Sequence, residues 1–236
     1  MKLGVRENIQ NVRRRIREAA LRAGRRPEEV TLVAVSKFVP PETVLAAMAE
    51  GVTDLGESRI QEALPKMAAV NRPELNWHLI GNLQTNKVKQ AVPAFGLIHS
   101  LDRWRLAEAL ELRGQEVGTQ IRVLIEVNVS GETTKHGLAP AQLRDFLTEL
   151  KKLPHLLPCG LMTMAPYTPV VEETRPVFRG LKQLWVQMAT ELQLGEHWQH
   201  LSMGMSNDFE VAVEEGATLV RIGSAIFGAE VNNLNN

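Results

Sequence analysis

Eight short runs of apolar and β-branched residues recur along the chain, each parted from the next by a stretch with helical spacing. The runs are Thr31–Ser36, Thr53–Gly56, Trp77–Gly81, Gly96–His99, Ile121–Val127, Leu156–Thr163, Gln199–Met203 and Thr218–Ile222. The clearest helical stretch carries Phe178, Leu181, Leu184, Trp185, Met188 and Leu192, the i, i+3, i+4 rhythm of a buried stripe. Pro40-Pro41, Asp102 as an N-cap and Pro140 in a first turn mark helix starts. A further helix within residues 1–26 precedes the first run, with Ile9, Val12, Ile16, Ala20 and Ala23 as its apolar stripe and Gly24 as its stop. Eight strands alternating with helices predict an α/β fold of the (β/α)8, TIM-barrel type with an extra N-terminal helix. A doubly wound open sheet is the competing arrangement.

The length, 236 residues, suits one such barrel or two small domains, and no Pro/Gly/Ser-rich spacer divides it. The expectation is one domain over residues 1–236, with the Asn-rich tail at 229–236 disordered. A formal net charge of zero supplies no global field toward nucleic acid or a membrane surface. No apolar run is long enough to span a bilayer, and the arginine-dense N-terminus lacks the apolar segment of a secretory signal. A single cysteine, Cys159, excludes an intramolecular disulfide framework and fits a reducing compartment as a buried, inert thiol. These features predict a soluble, cytoplasmic protein.

In a barrel of this type chemistry belongs at the C-terminal strand ends, with phosphate expected after strands seven and eight. Two segments there suit it. Leu201–Phe209, L-S-M-G-M-S-N-D-F, offers Gly204 for close backbone approach and Ser206, Asn207 and Asp208 as N-caps. Arg221–Gly228, R-I-G-S-A-I-F-G, offers Gly223 and Ser224 at a helix N-terminus. Gly and Ser also make ordinary turns, so the weight lies in the two loops falling together at the expected place.

Lys37 directly follows the first strand. A lysine there is ordinarily solvated. At the end of a buried strand it can instead lose solvation, and the freed neutral amine can condense with a carbonyl. Paired with a phosphate site across the mouth, it points to a phosphorylated aldehyde or ketone: pyridoxal 5'-phosphate (PLP) or a sugar phosphate. Arg221, a charge on an apolar strand, can donate to a pyridine nitrogen but cannot protonate it. A structural ion pair with Glu126 is its other role. His78 and His99 fall near strand ends and can face the pocket or serve structure; Met162, Met164, Met203 and Met205 can fill the mouth. The pair His197/His200 lacks a metal-site pattern, so no metal is assigned. The arginines at positions 13, 14, 15, 17, 25 and 26 read as a solvated helix face paired with glutamates, or as a protein-docking face, rather than as a nucleic-acid site. There is neither G-x-G-x-x-G nor a P-loop.

Several segments together resemble the pyridoxal phosphate homeostasis (PLP-binding) protein family. They are A-V-S-K-F-V-P (34–40), L-G-E-S-R-I-Q-E (55–62), W-H-L-I-G-N-L-Q-T-N-K-V-K (77–89), H-S-L-D (99–102), V-N-V-S-G-E-T-T-K-H-G (127–137), G-L-M-T-M-A-P (160–166) and the two C-terminal loops. The resemblance implies a PLP fold-type III barrel similar to the alanine racemase N-terminal domain. It implies a Schiff base on Lys37, Arg221 at the pyridine nitrogen, and Ser206, Gly223 and Ser224 at the phosphate. The expected cofactor set adds Ser58, His78 and Met203. Ser58 stands where relatives commonly carry asparagine. The implied role is PLP homeostasis and amino-acid/keto-acid balance without turnover, with PLP, and apo PLP enzymes or a regulatory protein, as partners. A fold-type III enzyme such as an amino-acid racemase is the alternative. A racemase needs a second acid/base, commonly a tyrosine from an added domain, and the chain ends where that domain would begin. Its only tyrosine, Tyr167, is expected in a surface turn.

Overall fold

The computed structural model describes residues 4–228; the tail expected to be disordered lies outside them. Helix α1, Val5–Arg22, comes first, followed by β1, Thr31–Val35, and α2, Pro41–Ala49. Then come β2, Asp54–Glu57; α3, Ile60–Val70; β3, Asn76–Leu79; α4, Val88–Ala91; and β4, Leu97–Leu101. The second half holds α5, Trp104–Val117; β5, Ile121–Glu126; α6, Leu143–Leu150; β6, Leu156–Met162; and α7, Arg175–Leu192. It finishes with β7, His200–Ser202; α8, Phe209–Glu214; β8, Leu219–Ile222; and α9, Ser224–Phe227.

The eight strands are parallel and close on themselves in sequence order, β8 pairing β1 with Ala34 opposite Ile222. The architecture is the expected (β/α)8 barrel, and the open sheet is excluded. Helices outside and side chains inside cover both strand faces, which is why the strands read as nearly continuous apolar runs. Strand parity sorts the core into two layers. Val33, Leu97, Leu124, Cys159, Met162 and Leu219 form an inner cluster, and a much larger cluster fills the shell between strands and helices. The inner cluster is small because His78, His99, Ser202, Arg221 and Glu126 are also buried.

Helix α1 is shorter than residues 1–26: Gly24 turns left-handed (φ 67°) and Pro27 opens a 3-10 turn. Its apolar stripe packs on the barrel, and Asn8 donates to the Ile226 carbonyl at 2.8 Å. Arg15 forms a two-pronged pair with Glu210, Arg22 pairs with Glu214, and Arg25 donates to the Val213 carbonyl. Two arginines of the cluster, Arg15 and Arg25, together with Arg22 therefore fasten the N-terminal segment to α8. The N-cap of α5 is Arg103 rather than Asp102, whose carboxylate instead accepts from the Arg103 guanidinium.

Candidate functional site at the C-terminal strand ends

The β7 and β8 loops meet through Ser206. Its hydroxyl oxygen accepts from the backbone N–H of Gly223 at 3.3 Å and of Ala225 at 3.2 Å, so two donors at the start of α9 converge on one oxygen position. An added Cβ on Gly223 would lie 3.2 Å from the Val35 carbonyl oxygen, which is how the loop comes to sit against the end of β1. Gly204 serves helix packing. At φ 91°, an added Cβ would meet Ala212 at 2.6 Å and the Phe209 backbone at 2.9 Å, so its bareness lets α8 pack under the loop. Of the three N-cap candidates Asp208 is the one used; its carboxylate reaches back to the Met205 N–H at 2.6 Å. Burial pushes that carboxyl up.

Lys37 follows β1 as the second residue of a tight turn closed by the Val39 N–H on the Ser36 carbonyl at 2.9 Å. The third residue, Phe38, has φ 62°, a region that costs a bulky side chain about 1–3 kcal/mol and persists only where its surroundings enforce it. The enforcing group lies behind the strand. Lys66 of α3 donates to the same Ser36 carbonyl and pairs with Glu57 Oε1 at 2.6 Å; Ser36 Oγ donates to that oxygen at 2.6 Å. Glu57 is fully buried and its Oε2 has no partner among the described residues. Lys66 thus holds the peptide preceding Lys37. It escaped attention in the sequence although a signal was there: it stands on the buried stripe Ile60, Ala63, Lys66, Val70, where an apolar residue belongs.

Arg221 is 4% exposed and points into the barrel. It donates to Ser202 Oγ at 2.5 Å and to the Thr163 carbonyl at 2.9 Å, and the suggested ion pair with Glu126 is replaced by these bonds. Burial lowers its pKa to about 10, against the pull of the Glu126 and Asp208 carboxylates, so it stays cationic at neutral pH. Ser202 Oγ also contacts His99 Nδ1 at 2.9 Å, His99 Nε2 contacts His78 Nδ1 at 3.0 Å, and His78 Nε2 contacts Asp54 Oδ1 at 3.0 Å.

That chain corrects His78. It lies with Asp54, Asn76, Arg122, His200 and Leu219 around a cavity of about 170 Å³ at the strand starts, the end opposite the mouth. Both histidines sit in mid-strand, and strand parity tells which face a side chain takes but not how high it stands. Met203 is corrected by parity itself. Ser202 faces inward to Arg221, so Met203, fully buried, joins the outer cluster. Ser58 does follow a strand end, where it lines a cleft of about 370 Å³ with Arg59, Asn82, Gln84 and Lys87. Tyr167 is 88% exposed. Glu126 shares the inward parity of Leu124 at the end of β5; burial, reinforced by the Asp102 carboxylate, raises its pKa to about 7.

Comparison with known proteins agrees with the barrel fold. The family model for the N-terminal domain of alanine racemase matches residues 6–231. A pyridoxal phosphate homeostasis protein of Aquifex aeolicus is 45% identical over 222 residues, covering 94% of this chain and 96% of that one. The structure of PipY from Synechococcus elongatus with PLP bound superposes with a TM-score of 0.83 at 35% identity, over 95% of this chain and all of the other. An alanine racemase from Clostridium difficile, at 16% identity and a TM-score of 0.74, shares the fold over 95% of this chain and 59% of its own length.

Proposed function

The chain belongs to the pyridoxal phosphate homeostasis protein family, built on the alanine racemase N-terminal domain, and on that premise we infer that Lys37 is the amine that anchors its PLP. The protein is a PLP-binding homeostasis protein. The observation that carries the assignment of residues is the meeting of three groups at one strand-end face: the Lys37 turn, the paired N–H donors of Gly223 and Ala225, and the Arg221 guanidinium. They fit the three ends of this cofactor. Lys37 carries the Schiff base, Ser206 with the Gly223–Ala225 backbone holds the phosphate, and Arg221 offers a donor to the pyridine nitrogen. Bound PLP supplies a reactive carbonyl and an electron-withdrawing ring.

The chain's own residues favour holding over turnover. Arg221 donates a hydrogen bond but keeps its proton, so the ring nitrogen stays unprotonated and the ring a weaker electron sink. Tyr167 is turned to solvent. The role in amino-acid and keto-acid balance follows from supply of PLP, with apo PLP enzymes as recipients. The buried single cysteine suits the reducing cytoplasm, and no described helix is long and apolar enough to cross a membrane. One observation favours a racemase-like activity instead: Glu126, inward-facing and half-titrated near neutrality, has the character of an acid/base.

The test is a PLP titration followed by absorbance, with amino-acid racemisation and delivery to an apo PLP enzyme assayed on the loaded protein. Saturable uptake, delivery faster than from free PLP and no racemisation support the carrier. Racemisation abolished by Glu126→Gln would establish the enzyme.

A further inference from the structure

The hydrogen bonds that lead from Arg221 through the barrel can all be made in one direction. A guanidinium can only donate, so Ser202 Oγ accepts from Arg221 and its own proton is free to go to His99 Nδ1. His99 is wholly buried, and burial together with the Arg221 charge holds its pKa well below the usual value and keeps it neutral. With Nδ1 accepting, its proton sits on Nε2 and is donated to His78 Nδ1. His78 in turn carries its proton on Nε2 and donates to Asp54 Oδ1. Burial alone would raise Asp54, but the bonds from His78, Thr53 and Asn76 outweigh it and hold the carboxyl below its usual range. In that arrangement the chain runs from a cation to an anion, four bonds each donating the same way, and every ring nitrogen on it is used.

We propose that Ser202, His99 and His78, terminated by Asp54, are positioning residues for Arg221: they lock the guanidinium in the orientation from which it donates to the pyridine nitrogen of PLP. The inference rests on the proposed placement of that nitrogen at Arg221. The physical need is plain. The Thr163 carbonyl engages only one of the two terminal nitrogens, and an arginine held at one point can swing. Ser202 supplies the second point, and with its own proton placed on His99 it meets Arg221 as an acceptor in one orientation. A simple inner packing layer would ask for apolar residues here, as at Val33 and Leu124. Four strands instead contribute polar groups: β2 gives Asp54, β3 His78, β4 His99 and β7 Ser202.

The first test uses the unliganded full chain. Nitrogen-15 NMR of the imidazoles should find His99 neutral at pH 7 with its proton on Nε2, and Nδ1 of His78 without a proton; a proton on Nδ1 of either, or a charged His99, overturns the relay. The second compares Ser202→Ala and Ser202→Thr with the natural chain. Removing one buried acceptor should weaken PLP binding roughly tenfold and shift the absorption of bound PLP. Ser202→Thr should recover most of both. Binding and spectrum unchanged in Ser202→Ala would sink the positioning role alone. A natural chain that takes up no PLP would instead refute the cofactor placement while leaving the NMR result standing.

Discussion

Two buried polar groups flank the strand that leads to Lys37, and they are built in opposite ways. Inside the barrel the Arg221–Ser202–His99–His78–Asp54 chain is long, directional and satisfied along its whole course. Outside, between β1 and α3, the Lys66–Glu57–Ser36 group is compact, with one carboxylate oxygen unpartnered. The first spreads its charge over the length of the barrel and presents the cationic end at the mouth. The second concentrates an ion pair on one carbonyl, that of Ser36, and so enforces the turn that carries Lys37 and the left-handed Phe38. A group that orients a ligand contact must be fully paired, because any spare donor or acceptor would offer it a second orientation. A group that only braces backbone can leave an atom unpaired, provided its attachment is strong.

That contrast makes graded predictions. Removing Lys66 leaves a fully buried carboxylate without its cation, so Lys66→Met should cost about 3–5 kcal/mol in chemical denaturation. Glu57→Gln added to it should recover most of the loss. If bracing is the role, PLP bound by the surviving folded protein keeps its natural spectrum, the reverse of the expectation for Ser202→Ala. A mild effect of Lys66→Met would break the contrast.

Glu126 supplies a pH test at the inner face. Its folded-state pKa, about 7, lies above the ordinary value of 4.5, so the folded chain holds a proton that the unfolded chain has already lost. Stability from this group is complete below about pH 4.5 and disappears as pH rises through 7. Glu126→Gln in the unliganded protein should abolish that decline, worth roughly 3 kcal/mol between pH 5 and 8. Identical pH profiles would show that the mouth solvates the carboxylate.

Asp54 should have the smallest effect. Its amide replacement still accepts from His78, so Asp54→Asn should cost less than about 1 kcal/mol at neutral pH. The carboxyl is depressed in the fold, so its contribution is present above the usual carboxylate range and is lost as pH falls below it. The variant should therefore lose less stability than the natural chain on acidification. A large neutral-pH loss would mean that the relay bears weight rather than orients.

The barrel was legible in the sequence because strands covered on both faces leave uninterrupted apolar runs, and all eight predicted runs coincide with strands. The places of Lys37, Arg221 and the Ser206 and Gly223 loops in the barrel were legible because strand ends and turn residues are local signals. What failed was position along or across the barrel. His78 was placed at the mouth because a strand four residues long gives no hint of which end its ligand-facing residues occupy. Met203 was turned inward because the parity of β7 is set by Ser202, a residue that looked unremarkable until Arg221 and His99 met on it. The packing role of Gly204 was not legible, since a small residue does not say what fills the space beside it.

Borohydride reduction of the PLP-loaded protein, followed by digestion and mass mapping of the pyridoxyl group, tests the central assignment most directly. Stoichiometric label on the Lys37 peptide, with label and visible absorption both lost in Lys37→Ala, is the predicted result. Label on Lys66 or Lys135 instead, or undiminished labelling in Lys37→Ala, would contradict it.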